Sequence, residues 1–185
     1  MLTYAGIGTR YLNEEQEKLC ISLSRYLGTN GYTLHTGAAE GADQTFAVGA
    51  FSVGARVVFH LPWKKHSAEF IDLLPPHHRA LLDVRVLRTN KRDRDDDAFT
   101  SVARFHPAPD HLSWGASCLH ARNYRIIAPE KFVDFVLALP SPGGGGTMQG
   151  VRIAAHYGIP VIRLDKVSEE EAQEQIRSLV ENTPR

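Results

Sequence analysis

Four consecutive glycines, Gly143–Gly146, are the residues of this chain whose type and spacing point most directly to chemistry. They follow an apolar run at Val133–Leu139, and Thr147 opens a segment with helical spacing. Glycine lets the backbone come close to a ligand because no Cβ intervenes, and the first N–H groups of a helix are unpaired and lie at its positive dipole end. Such a turn suits a phosphate or another anion, so we predict that Pro142, Gly143, Gly144, Gly145, Gly146 and Thr147 form a phosphate cradle.

A second glycine-bearing segment lies near the start of the chain, in the run Gly6-Ile7-Gly8-Thr9-Arg10. We expect it to form a turn after a short strand. Gly6 and Gly8 would then allow a phosphate to approach the backbone, while Thr9 would supply a hydroxyl and Arg10 a charged fork. The alternative is a tight turn with no ligand.

A third small-residue turn covers Thr36–Asp43, which reads TGAAEGAD. Gly37 and Ala38 are small enough to lie against a ligand. Asp43 either caps the helix that follows or binds a ribose hydroxyl.

Two further features could supply charge and stacking. Helical spacing places Arg122 and Arg125 on one face of a predicted helix, with Asn123 beside them, although ordinary surface arginines have the same pattern. Trp63 follows a predicted strand and precedes Lys64 and Lys65, so it either stacks on a base or covers the end of the sheet.

Composition limits the classes of function. Of the 185 residues, 21 are Lys or Arg and 21 are Asp or Glu, and this balance argues against a protein that mainly coats nucleic acid. The two cysteines and nine histidines show no metal-ligand spacing, so we predict no metal site and no resident cofactor. The first residues do not resemble a signal peptide and no run is long enough to span a bilayer, so we expect a cytoplasmic protein with no membrane partner.

Strand-like and helix-like segments alternate along the chain, and this predicts an α/β fold with a Rossmann-like, doubly wound and mostly parallel sheet that has helices on both faces. The length fits a single domain over residues 1–185, with an irregular insertion at about 63–110. Ligands of such sheets lie outside the carboxyl ends of the strands, so the three glycine-bearing turns are expected to converge on one crevice. The predicted strands are 2–5, 32–34, 56–61, 133–139 and 159–162, and the predicted helices begin at Asn13, Ala42, Leu112, Thr147 and Ser168.

Together these motifs resemble the SLOG superfamily, which contains DNA-processing protein A (DprA) and the Lonely guy (LOG) phosphoribohydrolases. The segment 4–10 is similar to the first-strand "VGSR" motif, 35–43 to the DprA "SGGAxGID" turn, and 121–128 to the DprA "RNRxIA" segment. The resemblance covers residues 1–165 and extends to short DprA-like proteins of tailed bacteriophages, which would place the chain in an infected bacterial host.

The resemblance implies a nucleotide-derived ligand and a homo-oligomer, commonly a dimer. LOG enzymes carry "PGGxGTxEE", whose two acids serve cleavage of an N-glycosidic bond. Gln149 and Gly150 stand at those positions here, which favours ligand binding over hydrolysis. We therefore expect a phage protein that sequesters a host nucleotide signal, such as an ADP-ribose derivative or a cyclic oligonucleotide, to counter defence. One alternative is an N-glycosidase acting on a nucleoside 5′-monophosphate, with Glu40 as its catalytic carboxylate. The other is binding of single-stranded DNA, which the zero net charge disfavours.

Overall fold

The computed structural model describes residues 2–182, so Met1 and residues 183–185 of the expected domain 1–185 lie outside the described residues. Strands and helices alternate through most of the chain. The strands are β1 (Thr3–Gly8), β2 (Thr33–Thr36), β3 (Val57–Leu61), β4 (Leu82–Val86), β5 (Phe135–Leu139) and β6 (Val161–Arg163). The helices are α1 (Glu14–Thr29), α2 (Ala42–Phe51), α3 (Ala68–Asp72), α4 (Pro76–Arg79), α5 (Asp96–Phe105), α6 (Trp114–Ile127), α7 (Gly145–His156) and α8 (Glu169–Asn182), with a short 3₁₀ turn at Pro109–His111.

The six strands form one parallel sheet in the order β4-β3-β2-β1-β5-β6. The chain therefore builds outward from β1 to β4 on one side, and then returns to the other side of β1 for β5 and β6. The strand order reverses between β1 and β5, and ligands of open α/β sheets bind at such a reversal. The predicted Rossmann-like α/β fold is confirmed.

Helices cover both faces of the sheet. On one face, α1, α2 and α8 bury a cluster that includes Leu23, Phe46 and Ile176. On the other face, α6 and α7 bury a second cluster that includes Ile126 and Ile153. The strands between them are buried on both sides, which is why β5, and β3 apart from His60, read as continuous apolar runs rather than alternating ones.

Local sequence sets where α1 begins. The side chain of Asn13 accepts a hydrogen bond from the backbone N–H of Gln16 at 2.8 Å, and the side-chain oxygen of Gln16 accepts one from the N–H of Asn13 at 3.1 Å. This reciprocal capping box satisfies two N–H groups that would otherwise have no partner in the first turn. The predicted start of a helix at Asn13 is therefore confirmed, with Asn13 as its N-cap.

The first glycine-bearing segment is not the turn that we predicted. β1 continues through Gly8, and Gly6 and Gly8 pair with Leu137 and Leu139 of β5. A Cβ on Gly6 would lie 2.8 Å from the ring of Phe46, and a Cβ on Gly8 would overlap the side chain of Ala42. These glycines therefore let α2 pack closely on β1, a use of glycine that occurs inside strands.

The segment 63–110 is more regular than expected. It contains α3, α4, α5 and the edge strand β4, which pairs in parallel with β3 from Leu82 to Val86. The turn after α3 and the Pro76 start of α4 bring the chain back to the sheet edge. Within residues 2–182 no helix is long and apolar enough to cross a membrane.

Candidate functional site

A crevice of about 410 Å³ opens at the carboxyl ends of β1 and β5, where the strand order reverses. The glycine cradle forms one wall, the residues after β1 form another, and α6 forms the third. Most of the predicted ligand-binding residues line this crevice together. They are Gly8, Thr9, Arg10, Asp43, Arg122, Asn123, Gly144, Gly145, Gly146 and Thr147.

The cradle ends in a helix N-terminus without a side-chain cap. α7 begins at Gly145 after the N-cap residue Gly144, and the two have φ angles of +57° and +81°. Positive φ is accessible to glycine without steric cost, so this turn requires glycine at positions 144 and 145. Among the described residues the backbone N–H groups of Gly146 and Thr147 have no hydrogen-bond acceptor. The first turn also contains no acidic residue, so the positive end of the helix faces the crevice uncompensated.

Arg122 is not a surface arginine. Arg122 is only 6% exposed, and its Nη1 lies 3.4 Å from Oδ2 of Asp43, the acidic residue in the first turn of α2. Gly37 at the end of β2 makes this position possible, because a Cβ there would overlap Nη1 of Arg122. Gly37 therefore serves the site indirectly, by leaving room for the guanidinium.

The ion pair leaves Arg122 partly unsatisfied. Its Nε is buried and has no hydrogen-bond partner among the described residues. Burial raises the pKa of Asp43 and lowers the pKa of Arg122, while the attraction between the two charges opposes both shifts. For each partner, the effect of desolvation on the pKa is therefore larger than the effect of the opposite charge. A further anion near Arg122 would favour the charged form of its guanidinium.

A hydrogen-bonded group that the sequence did not reveal lies beside the cradle. Oε1 of Gln149 lies 2.7 Å from Nδ1 of His120 and accepts a hydrogen bond from Nδ2 of Asn123 at 3.1 Å. Because Oε1 is an acceptor, His120 donates from Nδ1 and its Nε2 carries the lone pair. His120 and Asn123 are three residues apart on α6, so helical spacing from Asn123 was the signal that could have found His120.

The two positions that are acidic in LOG enzymes have other roles here. Gln149 is fully buried and holds His120 and Asn123 rather than facing the crevice. Gly150 lines the crevice, and a Cβ on it would lie 2.6 Å from Cδ1 of Ile7. A glutamate at position 150 would therefore require Ile7 to move.

Several predicted residues do not line the crevice. Glu40 is exposed and lines a separate open recess beside Glu17. Trp63 is 42% exposed, and its ring packs edge-on against His66. Gly6, Gly37 and Ala38 lie beneath the crevice, Pro142 and Gly143 are exposed on the outer side of the cradle, and Gln149 lies behind it. Within the part of the chain that the structure describes, no three His, Cys, Asp or Glu side chains are placed to hold a metal ion.

No protein-family model and no curated protein sequence matches the chain. Several solved structures match it. DNA processing protein A from Helicobacter pylori, studied for its single-stranded DNA binding, matches with a TM-score of 0.61 and 19% identity over 99% of this chain and 82% of that one. The molybdenum cofactor carrier protein from Chlamydomonas matches with a TM-score of 0.53 and 16% identity over 96% of this chain and 83% of that one. The chain therefore shares the fold of these proteins, which is the Rossmann-like α/β fold that its sequence predicted.

Proposed function

We propose that the crevice binds a nucleotide-derived small molecule through a phosphate group and retains it. The observation that carries this proposal is the uncapped N-terminus of α7, where the N–H groups of Gly146 and Thr147 are free and no acid stands in the first turn. An anion accepts hydrogen bonds from such groups and is stabilised by the helix dipole.

Two arginines, Arg10 after β1 and Arg122 on α6, add positive charge to the walls of the crevice. Arg10 is exposed and forms no ion pair with a described residue, and Arg122 lines the crevice beside its partner Asp43. The cavity volume of about 410 Å³ falls within the range of small-molecule sites. The cradle would hold the phosphate, while Asn123 and His120 would contact the remainder of the ligand.

Retention is favoured over hydrolysis because the two acids of the LOG motif are absent, and Asp43, the one carboxylate among the described residues that line the crevice, is paired with Arg122. Gln149 and Gly150 stand at the acidic positions, and Glu40 faces a different recess. A protein that retains such a ligand could sequester a host nucleotide signal, such as an ADP-ribose derivative or a cyclic oligonucleotide. We place this role in the cytoplasm of a bacterium infected by a phage. This biological setting follows from the sequence resemblance alone, and the dimeric state expected from it is tested by light scattering.

Single-stranded DNA is the second candidate ligand, because DNA processing protein A of the same fold binds it. The same free N–H groups and arginines could contact a phosphodiester. The two candidates differ in their dependence on salt. The affinity for a DNA strand that contacts several phosphates falls steeply as salt rises, whereas a single-phosphate ligand releases few counterions.

Calorimetric titration at low and high salt tests the proposal. The ligands are nucleoside monophosphates, ADP-ribose, cyclic dinucleotides and an oligodeoxythymidine. We expect at least one small molecule to bind at one per chain with a weak salt dependence. Tight, steeply salt-dependent binding of the oligonucleotide alone would assign the crevice to DNA instead.

A further inference from the structure

A second cavity, of about 400 Å³, lies beside the crevice at the carboxyl ends of β3 and β4. We call it the arginine cavity, because four arginines line it together with two carboxylates. These residues are Arg85, Arg88, Arg122, Arg125, Asp95 and Glu130.

The arginine cavity has an excess of positive charge although the whole chain has none. Asp95 is buried and committed to Arg125, whose Nε donates to Oδ2 of Asp95 at 2.6 Å. Arg85 pairs with Glu130 at 3.3 Å, but the side chain of Glu130 is 82% exposed, so solvent screens that pair.

Two arginines that line this cavity, Arg88 and Arg122, have no carboxylate partner inside it. Arg88 is exposed and forms no ion pair with any described residue. Arg122 has its only described carboxylate partner, Asp43, on the side of the crevice, and its Nε is buried without a hydrogen-bond partner. An anion in the arginine cavity would offset the positive charge of Arg88 and of the Arg122 guanidinium, which lines the cavity.

Arg122 lines both the crevice and the arginine cavity, so one guanidinium separates the two spaces. An anion in the cradle and an anion in the arginine cavity would lie on its two sides. We propose that a single nucleotide-class ligand spans both cavities, with one phosphate in the cradle and a second phosphate in the arginine cavity. This inference rests on the proposed function and specifies the ligand class for the same site.

Titration calorimetry with paired ligands tests the inference. The four nucleoside 5′-monophosphates are compared with the corresponding 3′,5′-bisphosphates and with cyclic dinucleotides, on the wild-type chain and on two variants. Arg88→Ala removes a cation of the arginine cavity. Arg92→Ala removes an exposed arginine of the same loop that lines neither cavity and serves as the matched control.

We expect a two-phosphate ligand to bind at least about ten-fold more tightly than its one-phosphate partner, the scale of one charge-assisted contact. Arg88→Ala should remove most of that gain and leave monophosphate binding unchanged, and Arg92→Ala should change neither. Equal affinities for the paired ligands on the wild-type chain, or an Arg88→Ala loss that is the same for both, would overturn the inference while leaving phosphate binding in the cradle intact.

Failure of the proposed function would look different, because neither class of small molecule would then bind. An oligodeoxythymidine that binds through Arg88 while the bisphosphates gain nothing would assign the arginine cavity to a nucleic acid backbone, and would also overturn the inference.

Discussion

The buried side-chain oxygen of Gln149 lies 2.7 Å from Nδ1 of His120, directly behind the wall of the crevice. A second hydrogen bond from Asn123 fixes that oxygen as an acceptor, so the proton of His120 is on Nδ1. Burial is the largest cause that lowers the pKa of His120, and the hydrogen bond to Gln149 opposes it. His120 therefore presents a neutral imidazole, with Nε2 as an acceptor, at the edge of the candidate site.

Gln149→Glu should favour the protonated form of His120 over the neutral one. A carboxylate beside Nδ1 favours the imidazolium, so the pKa of His120 should rise by roughly one unit or more. An NMR titration of the His120 ring measures the shift. Gln175→Glu, at an exposed position of α8, is the control and should leave that pKa unchanged. A pKa of His120 that is the same in wild type and Gln149→Glu would contradict the hydrogen-bond assignment.

Gly145→Val should abolish phosphate binding. Gly145 lines the crevice, and a Cβ on it meets no protein atom within 4 Å, so a valine side chain would take up open space at the cradle. The φ of +57° adds a strain of about 1–3 kcal/mol. Gly158→Val is the matched control, because Gly158 has a φ of +67°, is equally open and lies beyond the opposite end of α7. Both variants should lose similar stability, measured by thermal unfolding, while only Gly145→Val should lose binding, measured by calorimetry. Normal affinity in a folded Gly145→Val variant would remove the cradle from the account.

Arg10 and Arg122 should differ in what they contribute. Arg10→Ala removes an exposed cation and should weaken phosphate binding by roughly ten- to a hundred-fold without loss of stability. Arg122→Ala should weaken binding and also destabilise the fold by about 3–5 kcal/mol, because it leaves the Asp43 carboxyl buried and unpaired. Urea unfolding and calorimetry on both variants separate the two effects. If both variants bind as the wild type does, neither arginine contacts the ligand.

The buried pair His35 and His60 predicts a loss of stability in mild acid. Nδ1 of His35 lies 3.0 Å from Nε2 of His60, and burial lowers the pKa of His35 from 6.5 to about 4 and that of His60 well below its usual value. The unfolded chain therefore binds more protons between pH 6.5 and 4. Stability is complete above pH 6.5 and falls as pH drops through this window, by on the order of 3 kcal/mol for His35.

The raised pKa of Asp43 acts in the opposite direction, so the contribution of the histidine pair is isolated by comparing variants. His60→Asn should lose less stability than the wild type between pH 6.5 and 4, and the exposed control His111→Gln should follow the wild type. Chemical unfolding across this range measures both. An unchanged pH dependence in His60→Asn would show that the pair is not the cause.

The sequence predicted the elements whose signals are local. The apolar run of β5, the glycine run and the helical spacing of α7 are consecutive in the chain, so the strand–turn–helix unit around Gly144 was readable directly. The strand β4 was missed because it is an edge strand whose Asp83 and Arg85 pair with each other on the surface at 2.8 Å, and these charges hide the apolar pattern.

Features that depend on contacts between distant segments could not be read. Gly6 and Gly8 resemble a turn until α2 is known to pack against them. The burial of Arg122 requires the space at Gly37, which is 85 positions away in sequence. Glu40 precedes Gly41, whose φ of +90° turns the chain, and the direction in which Glu40 then points is set by that geometry rather than by its neighbours in sequence.

Recovery of retained ligand tests the central claim most directly. The protein is incubated with nucleoside monophosphates, NAD, ADP-ribose derivatives and cyclic dinucleotides, freed of unbound ligand by gel filtration and denatured by heat. The released molecules are then identified by chromatography and mass spectrometry. The account predicts that one phosphate-bearing ligand is recovered intact at about one per chain, and that none is recovered from Gly145→Val. Recovery of free base in place of the intact ligand, or no retention of any ligand by the wild-type chain, would contradict it.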